Sequence, residues 1–210
     1  MRPAARTRNL HASLRWLFSR LAREEASTLV EFAVALPLLA VLVVGIFDFG
    51  GALNLKQKLN NAAREGARFA ANLPGNDLSR PAAANPKDVP QGVAPDSVDA
   101  VADLVGAYLA GGNVNTCGLN AGPRNVSKDP TLLVWTYTAN TGCPGTLTLV
   151  IDRGFTYPAG SQPITVEATR IQVQYPYKWA FNSVITLLVP GSTGVGTTTI
   201  SSDAVQQNLN

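Results

Sequence analysis

Ala26-Ser27-Thr28-Leu29-Val30-Glu31-Phe32-Ala33-Val34-Ala35-Leu36 sets one carboxylate at the head of a long apolar run. The sixteen residues from Phe32 to Phe47 carry no formal charge, and with Asp48 as the lone interruption the apolar character reaches Leu55. At about 1.5 Å per residue, a helix over Leu29–Leu55 spans roughly 40 Å, enough for a bilayer core. The sequence holds no second run of this kind, so the expected topology is single-pass. A glutamate costs a few kcal/mol when a segment enters a bilayer. Its place between Val30 and Phe32 predicts a membrane-stored chain whose glutamate later meets a partner.

The charge divides at the same boundary. Six of the 17 basic residues (Arg2, Arg6, Arg8, Arg15, Arg20, Arg23) and two of the 14 acids (Glu24, Glu25) lie in residues 1–26, leaving 11 bases and 12 acids for the rest. The leader therefore carries +4 and the remainder −1, so the basicity belongs to the leader. A nucleic-acid partner needs Lys and Arg gathered on a folded face, so none is expected. The positive-inside rule instead holds the N-terminus in the cytoplasm and sends everything after Lys56 across the membrane. Leu10, Leu14, Leu17, Phe18 and Leu21 give the leader an amphipathic helical pattern suited to the inner membrane surface.

Ser27 or Thr28 can cap the main helix, with Glu31 in its first turns, where the macrodipole favours an acid. Pro37 frees the carbonyl of Ala33 and predicts a kink or local adjustment rather than a stop. Leu55, Leu59, Ala62, Ala63, Gly66, Phe69 and Ala70 continue a three/four spacing beyond the membrane. A helix over Thr28–Asn72 would be about 68 Å long, half lipid-solvated and half an aqueous spine. Pro74, Pro81, Pro86, Pro90 and Pro95 make residues 74–95 a loop or linker. Pro95-Asp96-Ser97 then opens a second helix with Val98, Val101, Leu104, Val105 and Tyr108 on one stripe, ended by Gly111-Gly112. Asp96, Asp99 and Asp103 lie on another stripe and read as a solvated face, since no calcium-type loop accompanies them.

From Thr131 the period changes to two. Thr131–Thr138 and Thr146–Asp152 read as strands joined by Ala139–Gly145, and Phe155-Thr156-Tyr157 runs to Pro158. Ile164–Tyr175 is the clearest strand. Its phase slips near Thr169-Arg170, which predicts a bulge there, and Pro176 is expected to end it. Phe181–Val189 reads as a short helix and Thr197–Val205 as an edge strand with its hydroxyls on the wet side. The fold class is α+β: a long N-terminal membrane and spine helix, then a small antiparallel-sheet domain with a second helix. The domains are a leader (1–26), the membrane and spine helix (27–73), a Pro-rich linker (74–95) and an exported α+β domain (96–210).

Cys117 and Cys143 are the two cysteines, both in the exported part, and a pair in an oxidising compartment predicts a disulfide. An enzyme finds little support. The one histidine, His11, lies in the leader, so no Ser-His-Asp, Cys-His or His-metal site can be built beyond it. No Gly-rich phosphate loop follows a strand, and nothing marks a two-carboxylate pair among the isolated acids. No metal or cofactor is expected.

Over Ser27–Leu73 the chain resembles the TadE-like family, pseudopilins or minor pilin-like subunits of Tad (tight adherence) pilus systems. Ala26-Ser27-Thr28-Leu29-Val30-Glu31-Phe32 resembles a prepilin-peptidase site, with Glu31 fifth in the mature chain and Phe32 after it. One departure is Ala26, where such sites usually carry glycine. Leu36-Pro37-Leu38-Leu39 resembles the family's helix, and Asn61-Ala62-Ala63-Arg64-Glu65-Gly66-Ala67-Arg68 its most recognisable stretch. Ile171–Tyr177 is a weaker echo of a valine-rich strand ending in tyrosine.

The resemblance implies a pilin-like fold, no catalysis and a type IVb-related pilus. It implies cleavage between Ala26 and Ser27 and an assembly role for Glu31 and Phe32. The implied partners are the prepilin peptidase, other pilins and pseudopilins of the same system, the inner-membrane assembly platform and the lipid bilayer. The implied location is the bacterial inner membrane, with the N-terminus cytoplasmic and the C-terminal domain periplasmic; incorporation into an extracellular pilus stays open. The alternative is a signal-anchored or secreted binding domain unrelated to pili, cut after Ala52 by the ordinary signal peptidase. A mature start at Ser27 or near Leu53 separates the two.

Overall fold

The computed structural model describes residues 10–78, 94–121, 125–129, 132–158, 165–181 and 196–209, with side chains from residue 27 onward. Seven elements follow in order: α1 (Leu10–Asn72), α2 (Asp96–Gly111), β1 (Asn125–Lys128), β2 (Val134–Ala139), β3 (Leu147–Pro158), β4 (Thr165–Lys178) and β5 (Thr197–Gln207). The strands form one antiparallel sheet in the order β1-β2-β3-β4-β5, so the expected α+β class holds. The chain divides into two compact units, Met1–Phe47 and Asp48–Asn210.

The first unit is helical from Leu10 onward, and α1 runs unbroken through Ser27, Thr28 and Pro37. The expected cap at Ser27 or Thr28 is therefore corrected. Helical residues from Leu10 onward precede them, and neither begins the helix. Val34 and Leu38 are 70% and 74% exposed, as an apolar surface built for lipid would be.

In the second unit, one face of the sheet carries the large buried side chains. Val126, Tyr137, Leu149, Val173 and Ser202 stand in one row across all five strands, and Trp135, Ile151, Ile171 and Ala204 in the next. Both helices pack against this face: Leu59, Ala62, Ala63, Ala67 and Ala70 from α1, with Val98, Val101, Val105 and Leu109 from α2. Each fully buried Leu, Ile or Val contributes about 1.5–3 kcal/mol relative to exposure.

The α1 residues at this contact are small for a geometric reason. A Cβ added at Gly66 would meet Val105 Cγ2 at 2.6 Å and Ile171 Cγ2 at 3.6 Å. Gly66 is thus a point of close approach between α1 and α2, and a side chain there would press on Val105.

α2 begins where the sequence indicated, with Val98 N–H and Asp99 N–H both donating to the Pro95 carbonyl. Its partner is new: Asp77 accepts from Ser97 N–H and Ser97 Oγ, each at 2.9 Å, so an acid from the segment after α1 serves the N-terminus of α2. The expected stripe is rotated. Ala102 and Leu109 are buried, Leu104 is half-buried and Tyr108 is exposed. Asp99 corrects the solvated-face reading. It is buried, and its carboxylate accepts from the Tyr137 hydroxyl at 2.6 Å. Asp96 stays exposed and Asp103 is half-buried. A three-residue spacing carries Asp99 to the edge of the apolar stripe, where β2 supplies a donor.

The strands extend further than their patterns implied. The segments over Thr146–Asp152 and Phe155–Tyr157 are one strand, β3. The extra residue that resets the phase lies in β3, between Asp152 and Phe155, opposite Thr169 rather than in β4 itself. Pro176 does not end β4. The ladder with β3 starts at Thr148↔Gln174, so Pro176 lies beyond it with only β5 alongside, where a missing donor is tolerated. β5 also runs two residues past Val205. β1 was not anticipated. Most of the linker over 74–95 and of the helix expected over Phe181–Val189 lies outside the described residues, as does Ile164.

Gly66→Leu is expected to overpack the α1–α2–β4 contact and lower stability by about 1–3 kcal/mol, even after its gain in helix propensity. Adding Val105→Ala should recover part of that loss. Denaturant midpoints of the three chains check the claim, and an unchanged midpoint for Gly66→Leu would contradict it.

Candidate functional site

Apart from Cys117 and Cys143, the residues singled out from sequence lie along α1. Ala26 and Ser27 lie within continuous helical backbone. Ser27 and Glu31 are exposed and Phe32 is 62% exposed. Glu31 has no hydrogen bond or ion pair among the described residues.

The stretch Asn61–Arg68 divides between two faces. Ala62, Ala63, Gly66 and Ala67 are buried against α2 and the sheet, while Asn61, Arg64 and Arg68 are exposed and Glu65 is half-buried. Arg68 Nη1 meets Glu65 Oε1 at 3.2 Å, an exposed pair of little energetic weight. The recognisable part of this stretch is thus mainly the price of close packing.

A third site escaped the sequence reading. Asp48, the interruption at the end of the apolar run, is 6% exposed. Its Oδ1 accepts from the Tyr177 hydroxyl at 2.7 Å and its Oδ2 from Phe181 N–H at 2.9 Å. Tyr177 Oη also lies 3.1 Å from the Asp48 carbonyl. A buried carboxylate needs such donors, and two from the end of β4 and beyond supply them. The signal was present in sequence as a lone acid in an apolar run, the feature that drew attention to Glu31.

Trp179 packs edge-on between Tyr177 and Phe181, with ring centroids 5.0 and 5.8 Å apart, and its Nε1 donates to Thr198 Oγ1 at 2.8 Å. Burial, and then the Asp48 hydrogen bond and charge, push Tyr177 up to about 12.

Arg153 was missed as well. It sits at the β3 irregularity, 5% exposed, and its Nη2 donates to the Leu73 carbonyl at 2.9 Å. That carbonyl lies at the end of α1, where a cation is favoured. Burial lowers the Arg153 pKa, and the nearby Asp77 opposes that shift.

Cys117 and Cys143 stand at disulfide-bonding distance, with Cα atoms 5.3 Å apart and 26 residues between them in sequence number. Cys117 and Gly118 adopt left-handed backbone (φ 55° and 88°), which turns the chain after α2 toward the β2–β3 connection. Thr141 N–H donates to the Cys117 carbonyl at 2.8 Å and Asn115 Nδ2 to the Gly142 carbonyl at 2.9 Å. Among the described residues no His, Cys, Asp and Glu group is arranged to hold a metal ion.

Residues 26–68 match the family model described as TadE-like protein. The match spans the resemblance drawn from sequence, from the Ala26-Ser27 pair to Arg68, and points to a pseudopilin-like protein associated with a Tad pilus. That family is structural rather than enzymatic in character, and its members work with other pilus components. Among the described residues one helix is long and apolar enough to cross a membrane, which is compatible with a single-pass anchor. No curated protein and no solved structure matches the chain.

Two outcomes are expected. First, Cys117 and Cys143 in natively exported protein resist alkylation until reductant is added; two thiols that react without it would refute the bond. A crosslink across such a loop is worth roughly 3–4 kcal/mol in the chain-entropy treatment. Second, Tyr177 favours the fold while protonated. Because its folded pKa is raised, that stability is complete below about 10 and is lost as pH rises toward about 12. Tyr177→Phe should flatten the alkaline part of the stability profile relative to the parent chain. Parallel profiles across that window would contradict the Asp48–Tyr177 contact.

Proposed function

We propose that this chain is a non-enzymatic pseudopilin that is stored in the inner membrane, cut by prepilin peptidase between Ala26 and Ser27, and used in building a Tad pilus. The supporting observation is the family match over residues 26–68, which joins an exposed apolar helix to the closely packed Asn61–Arg68 stretch. Removing residues 1–26 strips the basic leader and leaves a new amino group at Ser27, at the membrane edge. Glu31 then lies one helical turn further on. In lipid its carboxylate is costly, and the amino terminus of an adjacent subunit can pair with it. Pairing offsets the desolvation of both charges and fixes the register between helices more than it adds affinity.

The exported domain is carried on the second half of α1, where other pilins, pseudopilins or the assembly platform can reach it. Cleavage after Ala52 fits less well. It would remove Asp48, the acceptor for Tyr177 and for Phe181 N–H, from the domain that uses it.

Two measurements on one strain test the reading. Mass spectrometry of the membrane-extracted protein should find a chain that starts at Ser27; an intact N-terminus where prepilin peptidase is active would sink it. Glu31→Ala should spare membrane insertion and the stability of the exported domain while piliation falls sharply. Normal piliation would contradict the assembly role, and a destabilised domain would show that Glu31 acts through folding.

A further inference from the structure

The aromatic run at the end of β4 has no part in cleavage, Glu31 pairing or core packing. We infer that Tyr177, Trp179 and Phe181 form an interfacial collar that seats on the headgroup region of the bilayer and sets the height at which the exported domain rides. The inference rests on the membrane-anchored reading above.

Position carries it first. Tyr177 and Phe181 both hydrogen-bond to Asp48, and Asp48 directly follows Phe47, where the uncharged apolar run ends. A buried side-chain contact thus holds the three rings at the residue where a membrane-spanning segment would leave the hydrocarbon. Chemistry carries it second. Tyr and Trp concentrate at membrane–water interfaces because each joins an apolar ring to one polar atom. Here both polar atoms are engaged within the protein, Tyr177 Oη on Asp48 and Trp179 Nε1 on Thr198, and the rings are only half-buried. Charge carries it third. Lys58 and Lys178 line a cleft of about 530 Å³ beside Tyr177, together with Gly50 and Gly51 of α1. Lys178, adjoining Tyr177 in sequence, is exposed, and an ammonium group there suits lipid phosphates.

The occupant is therefore a lipid surface. Trp135 provides a built-in contrast, since it is fully buried in the core. The test uses the full-length chain in phospholipid vesicles whose acyl chains carry bromine either near the headgroup or deep in the bilayer. The emission lost between the parent chain and Trp179→Phe isolates Trp179 and cancels Trp16 and Trp135. Near-ultraviolet dichroism of Trp135 verifies that Trp179→Phe is folded.

Shallow bromine is expected to quench the Trp179 component and deep bromine to leave most of it. Trp179 emission untouched by either lipid, in a chain that stays with the vesicles through an alkaline wash, would overturn the collar and leave the anchored reading standing. A chain that washes off the vesicles would overturn both.

Discussion

The packing of the unit Asp48–Asn210 turns on the space at Gly66. A methyl group there would press on Val105, so the close approach of α1 and α2 depends on the absence of one side chain. Ala62, Ala63, Ala67, Ala70 and Ala71 extend the same condition along the buried face of α1. The large side chains come from the other layers: Trp135, Tyr137, Leu149, Ile151 and Ile171 from the sheet and Val98, Val101, Val105 and Leu109 from α2. One helix supplies the smooth surface and two other layers supply the volume. This division explains why a helix with few large buried residues beyond Leu59 can still be the spine of a packed domain.

Ionisable groups fix what the apolar contacts leave free. Hydrophobic burial is not directional, so it does not by itself set the register of helices against a sheet. Asp48 binds the spine's beginning to the end of β4, and Arg153 meets the carbonyl at its far end. Asp77 serves the N-terminus of α2, and Asp99 joins that helix to β2 through Tyr137. Each of these groups would be costly to bury alone, so each contact is tolerated in only one arrangement. Opposite the helix ends, the Cys117–Cys143 pair ties the turn after α2 to the β2–β3 connection.

The elements were legible where the periodicity was long. The three/four spacing from Leu55 to Ala70 and the alternation of β4 each persist over three or more repeats, and both elements are present. The bounds of α2 were marked by Pro95 and the Gly111-Gly112 pair. β1 was missed because Asn125-Val126-Ser127-Lys128 offers one apolar residue and no alternation to read. The irregularity opposite Thr169 could be sensed in β4 but not assigned, since an extra residue in either strand shifts the phase equally. Pro176 misled because local rules describe a strand hydrogen-bonded on both sides, and the end of β3 is a tertiary fact. Asp99 and Arg153 were invisible for the same reason: their partners, Tyr137 and Leu73, lie 38 and 80 residues away.

Glu31 and Asp48 looked alike in sequence, each a lone acid in one apolar stretch, and the fold treats them oppositely. Asp48 is buried, with the Tyr177 hydroxyl and the Phe181 N–H as donors from its own chain. Glu31 is exposed and meets no described residue. The cost of a carboxylate at membrane depth is a few kcal/mol for either. For Asp48 the exported domain offsets it, so the acid serves to register that domain on its helix. For Glu31 no hydrogen bond or ion pair among the described residues does so, and on the proposed reading another subunit offsets it. A cationic group delivered at the same depth is the natural complement, and a neighbouring helix with a free amino terminus supplies one without burying a second side-chain charge. The same physical penalty is met by the fold at Asp48 and by no hydrogen bond or ion pair among the described residues at Glu31; on the proposed reading, that difference separates a folding determinant from an assembly determinant.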